Sequence, residues 1–311
     1  MRSHQRELAR LTDGTGGGLS AADPAPGPTL LDILRRSTQY LAQANAASPR
    51  LDAELILGHV LGLSRIELYL QFERPLLELE LSPARELLRR RVGGCPVAYL
   101  VGEREFRSLR FQVSAAVLIP RPESELLVEI GAARVVEMGG LARVLDLGCG
   151  SGCLGLSLAK VAPLASVDLV DLSQDAVELA ARNADAHEVR DRVWIHQGSW
   201  ADPVQERGPY DLVLANPPYV TTAEWEELDR GVRDFEPRLA LDGGPDGLTS
   251  YRELLPALAG IVGPDALILL EGDPRRLGQV AELAAVTWPA AQAVVHRDLS
   301  HQDRVLEVRL P

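Results

Sequence analysis

The run Val144-Leu145-Asp146-Leu147 leads into Gly148-Cys149-Gly150-Ser151-Gly152, and the apolar stretch Cys153–Val161 follows at once. A short continuous apolar run, ended by glycines and succeeded by a helical pattern, reads as a buried strand, a tight turn and a helix. That order with so short a connection is the first half of a strand–helix–strand unit. It commits the chain to a parallel sheet with helices on its faces. The alternation continues downstream. Strands are expected at 143–147, 166–171, 192–196, 210–215, 266–270 and 305–309, and helices at 153–161, 174–186, 254–261 and 279–285. Pro256 is compatible with its helix if it falls in the first turn. The expected fold class is therefore α/β, a doubly wound Rossmann-like sheet.

Glycines at 148, 150 and 152 remove three Cβ atoms and let the backbone touch a ligand. The helix behind them offers free N–H groups and a positive dipole end, suited to a carboxylate. Asp146 can pair with an ammonium group, and Asp171, closing the second strand, can accept hydrogen bonds from ribose hydroxyls. Trp200, after Gly198-Ser199 at the end of the third strand, either stacks on an adenine or packs in the core. The loop alone does not choose a cofactor, because Gly150 to Gly155 also satisfies G-x-G-x-x-G, and NAD stays open at this point.

Asn216-Pro217-Pro218-Tyr219 closes the fourth strand and narrows the choice, since a dehydrogenase has no use for it. Two prolines fix φ and leave carbonyls without competing N–H groups. The Asn216 side-chain oxygen and the Pro217 carbonyl can then accept both hydrogens of one NH2 group. Tyr219 can pack on the flat face of the same substrate. A Pro-Pro turn is commonly only a turn; this one sits on the rim where parallel sheets bind ligands. The two sequences together read as a site that binds S-adenosylmethionine and presents a planar amide or exocyclic amine to its methyl group. Asn216, Pro217 and Tyr219 are the candidate catalytic residues, and Asn216, Pro217, Pro218 and Tyr219 the candidate substrate contacts. Asp146, Gly148, Cys149, Gly150, Ser151, Gly152, Asp171, Trp200 and Asn216 are the candidate cofactor contacts.

A length of 311 residues suggests two domains. No run of 18 apolar residues and no apolar leader is visible, so no membrane association is expected. Cys95, Cys149 and Cys153 make an odd set without framework spacing, which fits a reducing cytoplasm. A zinc pair at Cys149 and Cys153 would lack a second pair of ligands, and no metal is expected. The net charge of −12 argues against direct nucleic-acid binding through bulk electrostatics. Residues 84–110 hold seven arginines and three glutamates, either a local basic patch or a solvated helix face and hairpin.

Residues 1–28, rich in glycine and proline, read as a disordered tail. Residues 29–96 read as a bundle of about four helices without a catalytic constellation, a substrate-docking domain. Their starts are marked by Thr29 with Asp32, Ser48-Pro49, Ser64 and Ser82-Pro83, and Gly62 suits an end. Residues 97–120, with Phe106, Leu109, Phe111 and Val113, read as a β-hairpin linker to a methyltransferase domain at 121–311.

Beyond these motifs the chain resembles the release-factor glutamine methyltransferases, the PrmC/HemK family, over roughly 30–310. The resemblance is carried by Asp52-Ala53-Glu54, Pro96-Val97-Ala98-Tyr99 with Gly102, and Val117-Leu118-Ile119-Pro120-Arg121-Pro122-Glu123-Ser124-Glu125. Val170-Asp171-Leu172-Ser173, Arg182-Asn183-Ala184, Phe235-Glu236-Pro237 and Gly243-Gly244-Pro245-Asp246-Gly247-Leu248 extend it. It implies methylation of the glutamine amide in the Gly-Gly-Gln loop of class 1 peptide chain release factors. It implies that 148–152, Asp171 and Trp200 hold the cofactor, that 216–219 hold the glutamine, and that the helical domain docks the factor. Ser124 stands where the family usually has Thr, and Glu271-Gly272-Asp273-Pro274 departs from its Glu-Ile/His-Gly pattern. Rival readings are a sister enzyme acting on a large-subunit ribosomal protein, a nucleic-acid amino-methyltransferase, and a non-catalytic binding module.

Overall fold

The computed structural model describes residues 27–311. Of the segment expected to be disordered, residues 1–26 lie outside the described residues. The Pro28 carbonyl accepts a 3.0 Å bond from the Leu76 N–H and so belongs to the packed helical region.

Helix α1 (Leu30–Gln43) starts at Thr29, whose hydroxyl accepts the Asp32 N–H while the Asp32 carboxylate accepts the Thr29 N–H, both at 3.2 Å. Helix α2 (Pro49–Leu61) has proline at its first position and ends on Gly62 at φ 65°. Helix α3 (Arg65–Leu70) opens on a Ser64–Glu67 capping box. Helix α4 (Glu78–Val92) begins ahead of the Ser82-Pro83 start expected from the sequence, and Pro83 lies inside it. The Glu80 carboxylate caps the Leu77 N–H at 2.9 Å. That cap and the burial of Leu81, Ala84 and Leu88 offset the single bond Pro83 forgoes.

Two buried acids tie these helices together. Glu54, 1% exposed, accepts from Arg65 at 2.7 Å and from the Tyr69 hydroxyl at 2.6 Å. Asp52 pairs with Arg91 at 2.7 Å. The Asp52-Ala53-Glu54 sequence therefore has a structural use, holding α2 to α3 and α4. Within 84–110, Arg85, Arg89, Arg91 and Arg110 each pair with a carboxylate.

The strand pattern expected over 97–120 is realised only in the hairpin β1 (Glu103–Phe106) and β2 (Leu109–Gln112), which follows a helical turn, α5 (Val97–Val101). Leu100 is buried with the helical cluster, and Gly102, at φ 77°, ends the turn. Phe106 and Phe111 instead enter the core of the α/β region.

That region runs α6 (Glu125–Glu137), β3 (Arg143–Leu147), α7 (Cys153–Val161), β4 (Ser166–Asp171), α8 (Gln174–Ala186), β5 (Val193–Gln197) and β6 (Tyr210–Ala215). It continues through α9 (Thr222–Glu227), α10 (Arg230–Arg233), α11 (Thr249–Leu258), β7 (Val262–Glu271), α12 (Leu277–Thr287), β8 (Gln292–Arg297) and β9 (Asp303–Arg309). The seven strands lie in the order β5-β4-β3-β6-β7-β9-β8; β9 is antiparallel to β7 and β8, and the other pairs are parallel. Strand alternation distributes side chains to two cores. Val144, Val167, Leu212 and Leu214 face one, and Leu145, Leu147, Val213 and Ala215 the other. Chain order reverses between β3 and β6, and at that switch point the carboxyl ends of both strands open a crevice. Pro256 sits late in α11 rather than in its first turn. Buried Leu254, Leu255 and Leu258 hold the helix across the missing bond. No helix among the described residues is long and apolar enough to cross a membrane.

Candidate active site

The turn from β3 to α7 places Gly148, Gly150 and Gly152 at φ 67°, 54° and 80°. Those values are costly for any residue with a Cβ, which is why the turn needs glycine at each. Gly148 borders open space: a Cβ built there meets nothing within 4 Å. This turn, the ends of β4 and β6, and the segment after β5 surround a cavity of about 330 Å³, within the range of small-molecule sites.

Gly148, Cys149, Gly150, Ser151, Asp171, Trp200, Asn216 and Pro218 all line it. The Asp171 carboxylate accepts the Gly150 N–H at 2.8 Å and the Ser173 N–H at 2.9 Å. Each oxygen keeps lone pairs for a ligand, and burial raises the pKa of the group. Trp200, at φ 42°, packs one side on the second core while lining the cavity. Its indole N–H donates to Glu253 at 2.9 Å.

Asp146, Gly152, Pro217 and Tyr219 do not line the cavity. Gly152 is the N-cap of α7. Asp146 is fully buried beneath the loop; one oxygen accepts the Gly155 N–H at 2.8 Å and the other has no partner. Desolvation pushes its pKa up to about 7. Pro217 is buried, and Tyr219 packs on the second core behind the loop, where burial raises the pKa of its hydroxyl. The Cys153 thiol is pushed up to about 12 and that of Cys149 well above its usual range, so both stay neutral.

The Asp146 shift has a measurable consequence. Its carboxyl titrates near 3.8 when unfolded and near 7 when folded, so the folded chain holds the extra proton between those values. Stability therefore falls as pH rises through that window. Asp146→Asn keeps the acceptor for Gly155 and carries no charge. It is expected to raise the melting temperature by a few degrees at pH 8, an advantage that shrinks toward pH 4. A gain independent of pH would refute the assignment.

The Asn216 side-chain nitrogen donates to the Ser124 hydroxyl at 3.2 Å. Its oxygen is thereby left as the free acceptor. Ser124 ends the 3-10 turn Pro122–Ser124 and is 3% exposed. Sequence reasoning on its own had no reason to select it, or Glu253, which lies on a solvated helix face. Ser124 was visible only as part of the linker sequence carrying the resemblance. The segment after the Asn216 loop runs alongside it: Val220 pairs with Asp242, and the Gly243 N–H donates to the Val220 carbonyl at 2.7 Å.

Residues 32–102 match the PrmC N-terminal domain family, and residues 123–230 the methyltransferase small domain family. The release factor glutamine methyltransferase of Chlorobaculum tepidum is 39% identical over 287 residues, covering 89% of this chain and 96% of its own. The release factor glutamine methyltransferase of Geobacter sulfurreducens is 41% identical over 243 residues, covering 78% and 84%. Among solved structures, the hMettl16 catalytic domain in complex with a MAT2A 3'UTR hairpin superposes with a TM-score of 0.52. It is 14% identical and covers 73% of this chain and 84% of that one, a likeness of fold.

Proposed function

The chain belongs to the release factor glutamine methyltransferase family, and from that membership we propose that it methylates the side-chain amide nitrogen of the glutamine in the Gly-Gly-Gln loop of class 1 peptide chain release factors. The methyl donor we assign is S-adenosylmethionine. The observation that carries the reading is the Asn216 amide at the cavity edge, its nitrogen occupied by Ser124 and its oxygen free.

The residues present fit the donor. The open cradle at Gly148 suits close backbone approach, and the Asp171 lone pairs suit ribose hydroxyls. Trp200 offers an aromatic wall for the adenine. S-adenosylmethionine, when bound, supplies an electrophilic methyl group on a cationic sulfur.

The protein's task is then to orient a poor nucleophile, since an amide nitrogen shares its lone pair with the carbonyl. Asn216 Oδ1 and the Pro217 carbonyl accept the two N–H groups and turn the nitrogen's face toward the cavity. The rigid prolines keep those acceptors in place without reorganisation. Accepting both N–H dipoles also stabilises positive charge growing on the nitrogen during transfer, and the methylated nitrogen sheds one proton to water. Tyr219, packed behind the loop, supports it; its closeness to the core makes it a backing residue rather than a stacking platform. The helical region docks the release factor, and the reaction takes place in the cytoplasm with other translation factors.

The test is methyl transfer from labelled S-adenosylmethionine to a purified release factor, its Gly-Gly-Gln→Gly-Gly-Ala variant and ribosomal protein. Label on the release factor that disappears in the Ala variant is the expected result. Label on ribosomal protein instead would reassign the substrate.

A further inference from the structure

We propose that Glu253 is a positioning residue for the methyl donor: its carboxylate fixes the Trp200 ring in the orientation that forms the adenine wall of the cavity. This rests on the reading of the cavity as the S-adenosylmethionine site and of Trp200 as that wall, and names what holds the wall in place.

The chain is anchored on both sides of Trp200. The Gly198 N–H donates to the Asp171 carbonyl at 3.0 Å, and Gly198 lies so near Pro203 that a Cβ would meet its ring at 2.8 Å. Ala201 and Val204 are fully buried in the second core, and the Asp202 N–H donates to the Ser199 carbonyl at 3.0 Å. To join these anchors the backbone turns left-handed at Trp200, φ 42°, a conformation that a bulky aromatic residue adopts at a cost. Glycine or asparagine would meet that turn with less strain, so the backbone alone gives no reason for an indole here.

The turn sets where the indole begins and leaves open how it is rotated, because the torsion about the Cβ–Cγ bond of an aromatic side chain is broad. Packing on the second core restrains one side of the ring, which also lines the cavity. The remaining restraint comes from Glu253. The indole N–H donates to Glu253 Oε2 at 2.9 Å, and a bond to an ionised acceptor is a strong one. Reversing the ring would carry the N–H away from the carboxylate, so this bond selects one orientation of the wall.

Glu253 is itself held in place. It lies on α11, whose next two residues, Leu254 and Leu255, are buried in the same core that Trp200 packs on. Thr249, Ser250 and Glu253 bring one face of that helix to the cavity. One core thus fixes both the donor and the acceptor of a bond that spans 53 residues of chain. The Glu253 side chain is exposed, so replacing it removes the bond and little packing.

Full-length wild type, Glu253→Ala, Glu253→Gln, Trp200→Phe and the Glu253→Ala/Trp200→Phe double variant are compared by calorimetric titration with S-adenosylmethionine and S-adenosylhomocysteine, and in methylation of a release factor. The indole N–H resonance of Trp200, identified by its absence from Trp200→Phe, is followed by NMR without ligand. We expect Glu253→Ala to raise both dissociation constants about fivefold and to shift that resonance, because an unheld ring must be ordered on binding. Glu253→Gln keeps a carbonyl acceptor and should stay within about twofold of wild type. At saturating cofactor, kcat and the release-factor KM of Glu253→Ala should change by less than about twofold, since the bond acts on donor binding. Trp200→Phe has a ring without an N–H, so adding Glu253→Ala to it should cost nothing further. Unchanged dissociation constants in Glu253→Ala, or losses that multiply in the double variant, would overturn the role of Glu253 alone. Should Trp200→Phe fail to fold, the two Glu253 variants still decide it. A wild-type chain that binds neither ligand would overturn the donor assignment, and this role with it.

Discussion

Asn216→Ala is expected to lower turnover at least about a hundredfold while S-adenosylmethionine affinity stays within a few-fold, because its oxygen acts on the amide nitrogen at the moment of transfer. The cavity itself does not depend on this side chain. Its glycine turn is fixed by the β3–α7 geometry, and Asp171 is held by the N–H groups of Gly150 and Ser173. Removing the Asn216 amide leaves the Ser124 hydroxyl without its donor, a loss of about 1 kcal/mol in stability. Calorimetric titration beside single-turnover methylation separates the two effects. Parallel losses of affinity and rate would show Asn216 to be a cofactor ligand first.

Gly243→Ala is the second large effect, and nothing in the catalytic sequence announces it. A Cβ at 243 would lie 2.6 Å from the Pro218 carbonyl oxygen and 2.8 Å from Tyr219 Cα. Both are backbone atoms of a loop stiffened by two prolines, so neither side can yield by a rotamer change. The Gly243 N–H also donates to the Val220 carbonyl at 2.7 Å, so the two segments cannot separate without losing that bond. The expected cost is about 2 kcal/mol or more. On the role proposed for Asn216 and Pro217, turnover should fall further than stability, because Pro218 and Tyr219 follow them in the same loop. Gly260 is the matched control: a Cβ there meets nothing within 4 Å, and Gly260→Ala should leave melting temperature and rate unchanged. Wild-type activity in a fully folded Gly243→Ala would mean that the Asn216 loop tolerates displacement.

Much of the molecule was legible in the chain because it follows from local rules. Short apolar runs marked β3, β4 and β6, the first of them ended by glycine, and alternation along them split their side chains between two cores. Thr29 with Asp32, and Ser64, marked the starts of α1 and α3. Elements whose stability comes from elsewhere were less visible. β8 exposes Val294 and Val295 and bonds only to β9, so it has no alternating pattern to read. α6 lay unassigned between the linker sequence and β3, although Leu127, Val128 and Val135 bury against the first core. Pro83 reads as marking a helix start and Pro256 as tolerable in a first turn, whereas both sit inside helices that packing sustains.

The sequence by itself determined the mainly parallel sheet, the glycine turn after β3 and the proline-stiffened Asn216 loop, because each depends on backbone freedom or donor chemistry that residue type dictates. Only the tertiary structure decided which groups work on them from a distance. Ser124 reaches Asn216 from 92 residues away in the chain, Glu253 reaches Trp200 from 53, and Gly243 presses on the Asn216 loop from a crossing segment. Such contacts leave no period and no motif. They exist only because the switch point between β3 and β6 brings the ends of separate strand–helix units to one rim.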